Sequence, residues 1–179
     1  MSERFDTLLE ILELYKSEAD RCEKSRAYLS GCVVLGAALE AGLLATATCY
    51  RSQVRRAVTY RRLKGMPLEK WGLFDLLGLA RELKWVPSQL PLGTSARVSS
   101  LTPDKALKEK DVAYFADIVR ELRNTIHPGK YWRQWKGLKI KKRHFEFCYE
   151  MTEIVFEHLY QKLASSITDA LTKESRARN

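Results

Sequence analysis

Two arginines, an asparagine and a histidine fall within eight residues of this chain, in Arg120-Glu-Leu-Arg123-Asn124-Thr-Ile-His127. Stepping about 100° per residue from Arg120 puts Arg123 near 300°, Asn124 near 40° and His127 near 340°, so the four share one stripe of a helix. Phe115, Ile118, Val119, Leu122 and Ile126 gather between about 160° and 260°, which assigns them to the core and turns the polar stripe to solvent. A histidine that can take or give a proton, beside two fixed positive charges, is the equipment of a site that handles a phosphodiester. The competing reading is an ordinary solvated helix face closed by Pro128-Gly129.

The next segment favours the phosphodiester. Lys130 to Arg143 holds seven basic residues and three aromatics, and no acid. Lys130, Arg133 and Lys136 suit phosphates, and Tyr131, Trp132 and Trp135 suit unpaired bases, a pairing typical of single-stranded RNA binding. The alternative for the tryptophans is that they clamp the loop onto the core. A second acid-free stretch, Arg51 to Lys64, carries six basic residues. Its Arg55 and Arg56 either extend the same nucleic-acid surface or solvate a helix end.

These stretches account for most of the charge imbalance. The formal charge is +9, yet outside the two segments 18 basic residues are outnumbered by 22 acids. Local positive charge of this kind speeds encounter with nucleic acid or anionic lipid and makes binding salt-dependent. A chain of 179 residues, 45% of them hydrophobic, can bury a core without disulfides or metals. Cys22, Cys32, Cys49 and Cys148 form no C-x-x-C pair and do not space with the three histidines as a zinc site would, so no metal or cofactor is expected. The cysteines read as small core residues. The opening Ser2-Glu3-Arg4-Phe5-Asp6 places acids where a secretory signal has a basic region, so a reducing cytoplasm is the expected compartment.

The elements that must position the stripe follow from periodicity. Phe5, Leu8, Leu9, Ile11, Leu12 and Leu14 predict an amphipathic helix over the first twenty residues. Between Ala27 and Cys49 the only charge is Glu40, a run long enough to span a bilayer. Its many Gly, Ala, Ser and Thr residues and its central carboxylate argue instead for the central helix of a soluble bundle, in which small residues let neighbours approach closely. Glu40 then needs a partner. Residues 50–64 read as the exposed end of that helix and its loop. A third helix should start near Pro67 and end near Trp85-Val86-Pro87, with a loop from Pro87 to Pro103. Thr102-Pro103-Asp104 would start the helix bearing the stripe, and a last helix would run from about Arg143 to Leu171. No alternating strand pattern occurs. The expected class is all-α, a bundle of about five helices in one domain over residues 1–171, with a polar, disordered tail over 172–179.

With these residues laid out, the chain resembles the HEPN superfamily, small helical bundles marked by an arginine followed after four to six residues by a histidine at a helix end. Leu122-Arg-Asn-Thr-Ile-His-Pro-Gly129 is similar to a common variant of that motif, and Val34-Leu-Gly-Ala-Ala-Leu-Glu-Ala-Gly-Leu-Leu44 to a second-helix pattern of several branches. The match departs in one respect. Arg120 has the family's spacing to His127 but is followed by Glu121, whereas Arg123 is followed by Asn124 as the family prefers but stands only three intervening residues from His127. Spacing favours Arg120; either could be the motif arginine.

The resemblance implies a metal-independent endoribonuclease, a toxin or defence effector acting as a homodimer whose paired motifs share a cleft, with an antitoxin or larger effector protein as a possible companion. It implies that His127 moves a proton during attack of a ribose 2′-hydroxyl on phosphorus while arginine holds the phosphate. Glu40 then either makes a helix-packing contact or orients Arg120 or His127. The main alternative is a noncatalytic HEPN-like module that binds nucleic acid or protein through the same stripe. The irregular Arg–His spacing favours that rival; the joint presence of Arg, Asn and His favours the enzyme. A membrane-associated protein held by residues 27–49, with basic flanks on the lipid, is the third and least favoured reading.

Overall fold

The structure, a computed structural model, describes residues 3–87 and 112–178, with side chains described for 6–87, 112, 116–133 and 136–165. The expected loop from Pro87 to Pro103 and the helix start at Thr102-Pro103-Asp104 lie outside the described residues, apart from Pro87 itself.

Seven helices organise the described part: α1 (Glu3–Lys24), α2 (Tyr28–Cys49), α3 (Arg51–Arg56), α4 (Val58–Arg62), α5 (Leu73–Glu82), α6 (Val112–Arg123) and α7 (Lys142–Arg178). Five of them are long, no strand occurs among the described residues, and the class is all-α.

The composition of α2 explains its central place. With one charge in 22 residues it has no polar face to present to water, so α1, α5, α6 and α7 all pack around it. Leu35, Leu39 and Leu43 are fully buried along it. Close approach depends on the small residues, as expected from sequence. A Cβ at Gly31 would sit 2.5 Å from the ring of Phe145 on α7 and 3.3 Å from Cys22 on α1. By length and composition α2 could cross a membrane, but 67% of its most apolar window is buried inside the bundle.

The remaining core is supplied by α7, through Phe145, Phe147, Met151, Val155 and Phe156, and by Leu73, Leu76, Leu77 and Leu79 of α5. Cys22, Cys32 and Cys148 are buried as expected; Cys49 is exposed, because it closes the last turn of α2 where the bundle ends.

Three boundaries differ from the sequence expectation. Residues 50–64 are not the end of α2, because Tyr50 leaves helical geometry (φ −101°, ψ 35°) and two short helices follow, separated by the extended Ala57. Tyr50 is held there by its hydroxyl, which donates to the Lys162 carbonyl at 2.8 Å, and by its ring against Trp85 at 5.7 Å. The helix expected from Pro67 is a short 3₁₀ turn (Leu68–Lys70) and then α5, split at Trp71 and the extended Gly72. Trp71 is buried and spends its indole N–H on the Met66 carbonyl, which fixes the break. The last helix runs on through Arg178, since residues 172–178 contain neither Gly nor Pro to stop it.

Candidate functional site

The stripe read as one helix face is divided by a change of helix type. α6 ends at Arg123, and Asn124–Ile126 form a 3₁₀ turn. At roughly 120° per residue in place of 100°, the tighter turn carries Thr125 round to the direction of Leu122 and swings Ile126 out. Thr125 is accordingly buried, at 7% exposure, with its hydroxyl donating to the Leu122 carbonyl at 2.7 Å, while Ile126, expected in the core, is 48% exposed. Among the described side chains of α6, Val112, Ala116, Val119 and Leu122 are buried in the core. Ile118 is only half-buried, and the side chain of Phe115 lies outside the described residues.

Arg123 does not face open solvent. Its guanidinium is ion-paired with Glu40 of α2, which gives the one charge of that helix its partner. The aliphatic stem lies across Gly36, one turn earlier on the same face of α2. A Cβ there would stand 2.8 Å from Arg123 Cδ and 3.0 Å from its Cβ. Gly36 makes room for the arginine and Glu40 holds its head, with 31% and 27% of the two side chains left exposed.

Arg120 turns to a different neighbour. Its Nε donates to Asp117 at 2.6 Å and its Nη2 to the other Asp117 oxygen at 3.2 Å, and it also pairs with Glu121. The hydrogen bond to Asp117 is the main reason its pKa is raised above the usual arginine value, against burial. The guanidinium lies 5.2 Å from the ring of Phe74 on α5. With two carboxylates and an aromatic face already engaged, Arg120 braces α6 to α5.

His127 follows the 3₁₀ turn in extended geometry (φ −80°, ψ 114°). Its N–H donates to the Asn124 carbonyl at 3.0 Å, and its own carbonyl accepts from Lys130 and Tyr131 at 3.0 and 2.9 Å. The main chain is therefore pinned on both sides. The imidazole is exposed and has no side-chain partner among the described residues. Asn124 is half-buried beside it in sequence.

After His127 the chain makes one helical turn (Pro128–Lys130) and a π turn (Tyr131–Trp135). Trp132 is 68% exposed, which removes it from the core, and the Lys136 ammonium sits 4.5 Å above its ring. Tyr131 and Arg133 are exposed, Arg133 donating to the Gly129 carbonyl, and Lys130 is half-buried. The side chain of Trp135 lies outside the described residues. Arg55 and Arg56 are exposed on α3, Arg56 donating to the Ser52 carbonyl.

Sequence reasoning missed four participants. Asp117 stood three residues before Arg120, a helix-pair spacing, and Gly36 stood one turn before Glu40, so both were findable. Glu121 was noted only as a departure from the motif. Phe74 belongs to another helix and left no local signal. Among the described residues, no group of three or more His, Cys, Asp or Glu side chains is placed to hold a metal ion. The chain matches no protein-family model, no curated protein and no solved structure with which it was compared.

Proposed function

We propose that this chain is a metal-independent endoribonuclease of the HEPN type, in which His127 and Arg123 act on single-stranded RNA delivered by the surface around Trp132. The observation that carries the reading is the Arg123–Glu40 pair: it joins the two stretches on which the HEPN resemblance rests and fixes an arginine four residues from an exposed imidazole that has no side-chain partner among the described residues. Arg123 is favoured over Arg120 because it has one carboxylate to share rather than two.

In the proposed reaction a ribose 2′-oxygen attacks the adjacent phosphorus and the bond to the 5′-oxygen breaks, leaving a 2′,3′-cyclic phosphate and a 5′-hydroxyl. His127 takes the 2′-hydroxyl proton or protonates the leaving oxygen. Arg123 offsets charge on the non-bridging oxygens. A homodimer would bring a second His127 for the other proton transfer, and the expected compartment is the cytoplasm. Tyr131, Trp132 and Lys136 supply stacking and charge for an unpaired strand, with Lys130 and Arg133 on the same segment.

The test is incubation of a mixed-sequence single-stranded RNA in EDTA with wild type and His127→Ala, with the product ends mapped. Cyclic phosphate ends that disappear in His127→Ala support the enzyme. One feature favours a noncatalytic binding module instead: both arginines already have carboxylate partners. Intact RNA, bound in a salt-sensitive way that survives His127→Ala, would select that second reading.

A further inference from the structure

We propose that the cleft between α3 and the turn over residues 63–70 binds a nucleoside monophosphate. The cleft holds about 230 Å³ and is lined by none of the residues of the His127 surface.

Arg51 and Arg55 stand one turn apart on α3 and both line it. They are exposed, and neither has a hydrogen-bond or carboxylate partner among the described residues. Their neighbours differ: Arg56 donates to a backbone carbonyl, and Arg62 pairs with Asp75 at 2.9 Å and lies over Phe74. Two like charges at this spacing repel, and an anion between them removes the repulsion. Two arginines lining one space suit the oxygens of a phosphate monoester.

The other walls suit a flat, mostly apolar body. Met66, Pro67 and Leu68 supply apolar surface with the buried Val54 behind them, and Tyr60 supplies an aromatic ring. Tyr60 is backed by Trp71 at 6.2 Å, and the Trp71 indole N–H in turn anchors the Met66 carbonyl at 2.9 Å. The chain reverses through two consecutive left-handed residues, Lys64 (φ 52°) and Gly65 (φ 71°), which bring Gly65 against the Tyr60 hydroxyl. The wall is thus formed before any ligand arrives. Glu69 also lines the cleft. At about 230 Å³ the cleft is of small-molecule size and open to solvent on one side.

The inference is independent of RNA cleavage and is read by binding. The full chain is titrated calorimetrically with adenosine 5′-monophosphate, adenosine, ribose 5-phosphate and inorganic phosphate, in wild type and in Arg51→Gln/Arg55→Gln. Circular dichroism checks that these exposed substitutions leave the fold intact. Saturable binding of the monophosphate, weakened at least about tenfold in the double variant and at least about tenfold tighter than each of the three fragments, is the expected result. A 5′-phosphorylated tetranucleotide that binds as tightly would identify the ligand as a strand end; binding of the mononucleotide alone would identify a free nucleotide. No saturable binding of the monophosphate, equal binding of ribose 5-phosphate or inorganic phosphate, or an affinity unchanged in the double variant would overturn it.

Discussion

Replacing Glu40 with glutamine keeps the shape of the side chain and removes the charge facing Arg123. Fully exposed ion pairs contribute about 0.2–1 kcal/mol, and breaking a fully buried pair costs about 3–5 kcal/mol. With 27% and 31% of the two side chains exposed, this pair lies between those limits and is screened in part by solvent. Glu40→Gln should therefore cost about 1–2 kcal/mol, which for a domain of this size lowers Tm by about 2–8 °C. Replacing Arg123 also changes the packing over Gly36, so the decisive quantity is the coupling. Urea unfolding of wild type, Glu40→Gln, Arg123→Gln and the double variant should give an interaction energy of about 1 kcal/mol. Additivity within about 0.3 kcal/mol would refute the argument that these residues hold each other across α2 and α6.

Three further outcomes follow from the same packing and charges. Gly31→Ala forces a methyl group toward Phe145 with Cys22 behind it, and should lower stability by about 1–3 kcal/mol in a thermal melt, where the exposed Gly78→Ala should not. On acidification stability should fall in two stages, because at both groups the unfolded chain binds more protons than the folded one. Burial, with Arg143 adding, holds the His144 pKa below its ordinary 6.5, so stability declines as pH drops through that value; His144→Gln should remove this stage. Burial pushes the Glu82 carboxyl up, but bonds from the Thr59 and Val58 N–H groups and the Thr59 hydroxyl outweigh it and leave the pKa below 4.5, so the second stage begins near that pH and should vanish in Glu82→Gln. Trp132→Ala should weaken single-stranded RNA binding by about 1–3 kcal/mol, and removing Lys136 should lower the salt slope by about 0.7, both read by fluorescence titration.

The main architecture was legible because the strongest signals were local. One charge in the 22 residues of α2 announced a central helix, and its small residues announced close neighbours. The leucines of α5 and the long apolar series of α7 were equally plain. What escaped the sequence was geometry set by a few residues. The tightening at Asn124–Ile126 exchanges Thr125 and Ile126 between core and solvent, and a uniform 100° step cannot anticipate it. The same uniform step placed Arg120 and Arg123 on one outward stripe, although Arg120 is drawn to Phe74 and Asp117, and Arg123 to Glu40. Pairing with another helix decided where the Arg123 side chain went, and spacing within one helix holds no record of it, whereas the Asp117 partner of Arg120 stood in the same helix at a readable spacing. For Trp132 the sequence left base stacking and core packing both open, and the ring faces solvent.

Single-turnover cleavage of one RNA by wild type, His127→Ala, Arg123→Ala and Arg120→Ala tests the central claim most directly. Loss of a proton-transfer group costs about 10²–10⁴-fold, and loss of one oxyanion contact about 10²–10³-fold. The account predicts losses of that order for His127→Ala and Arg123→Ala, and a much smaller one for Arg120→Ala. An inactive wild type, or a His127→Ala variant cleaving at the wild-type rate, would contradict it.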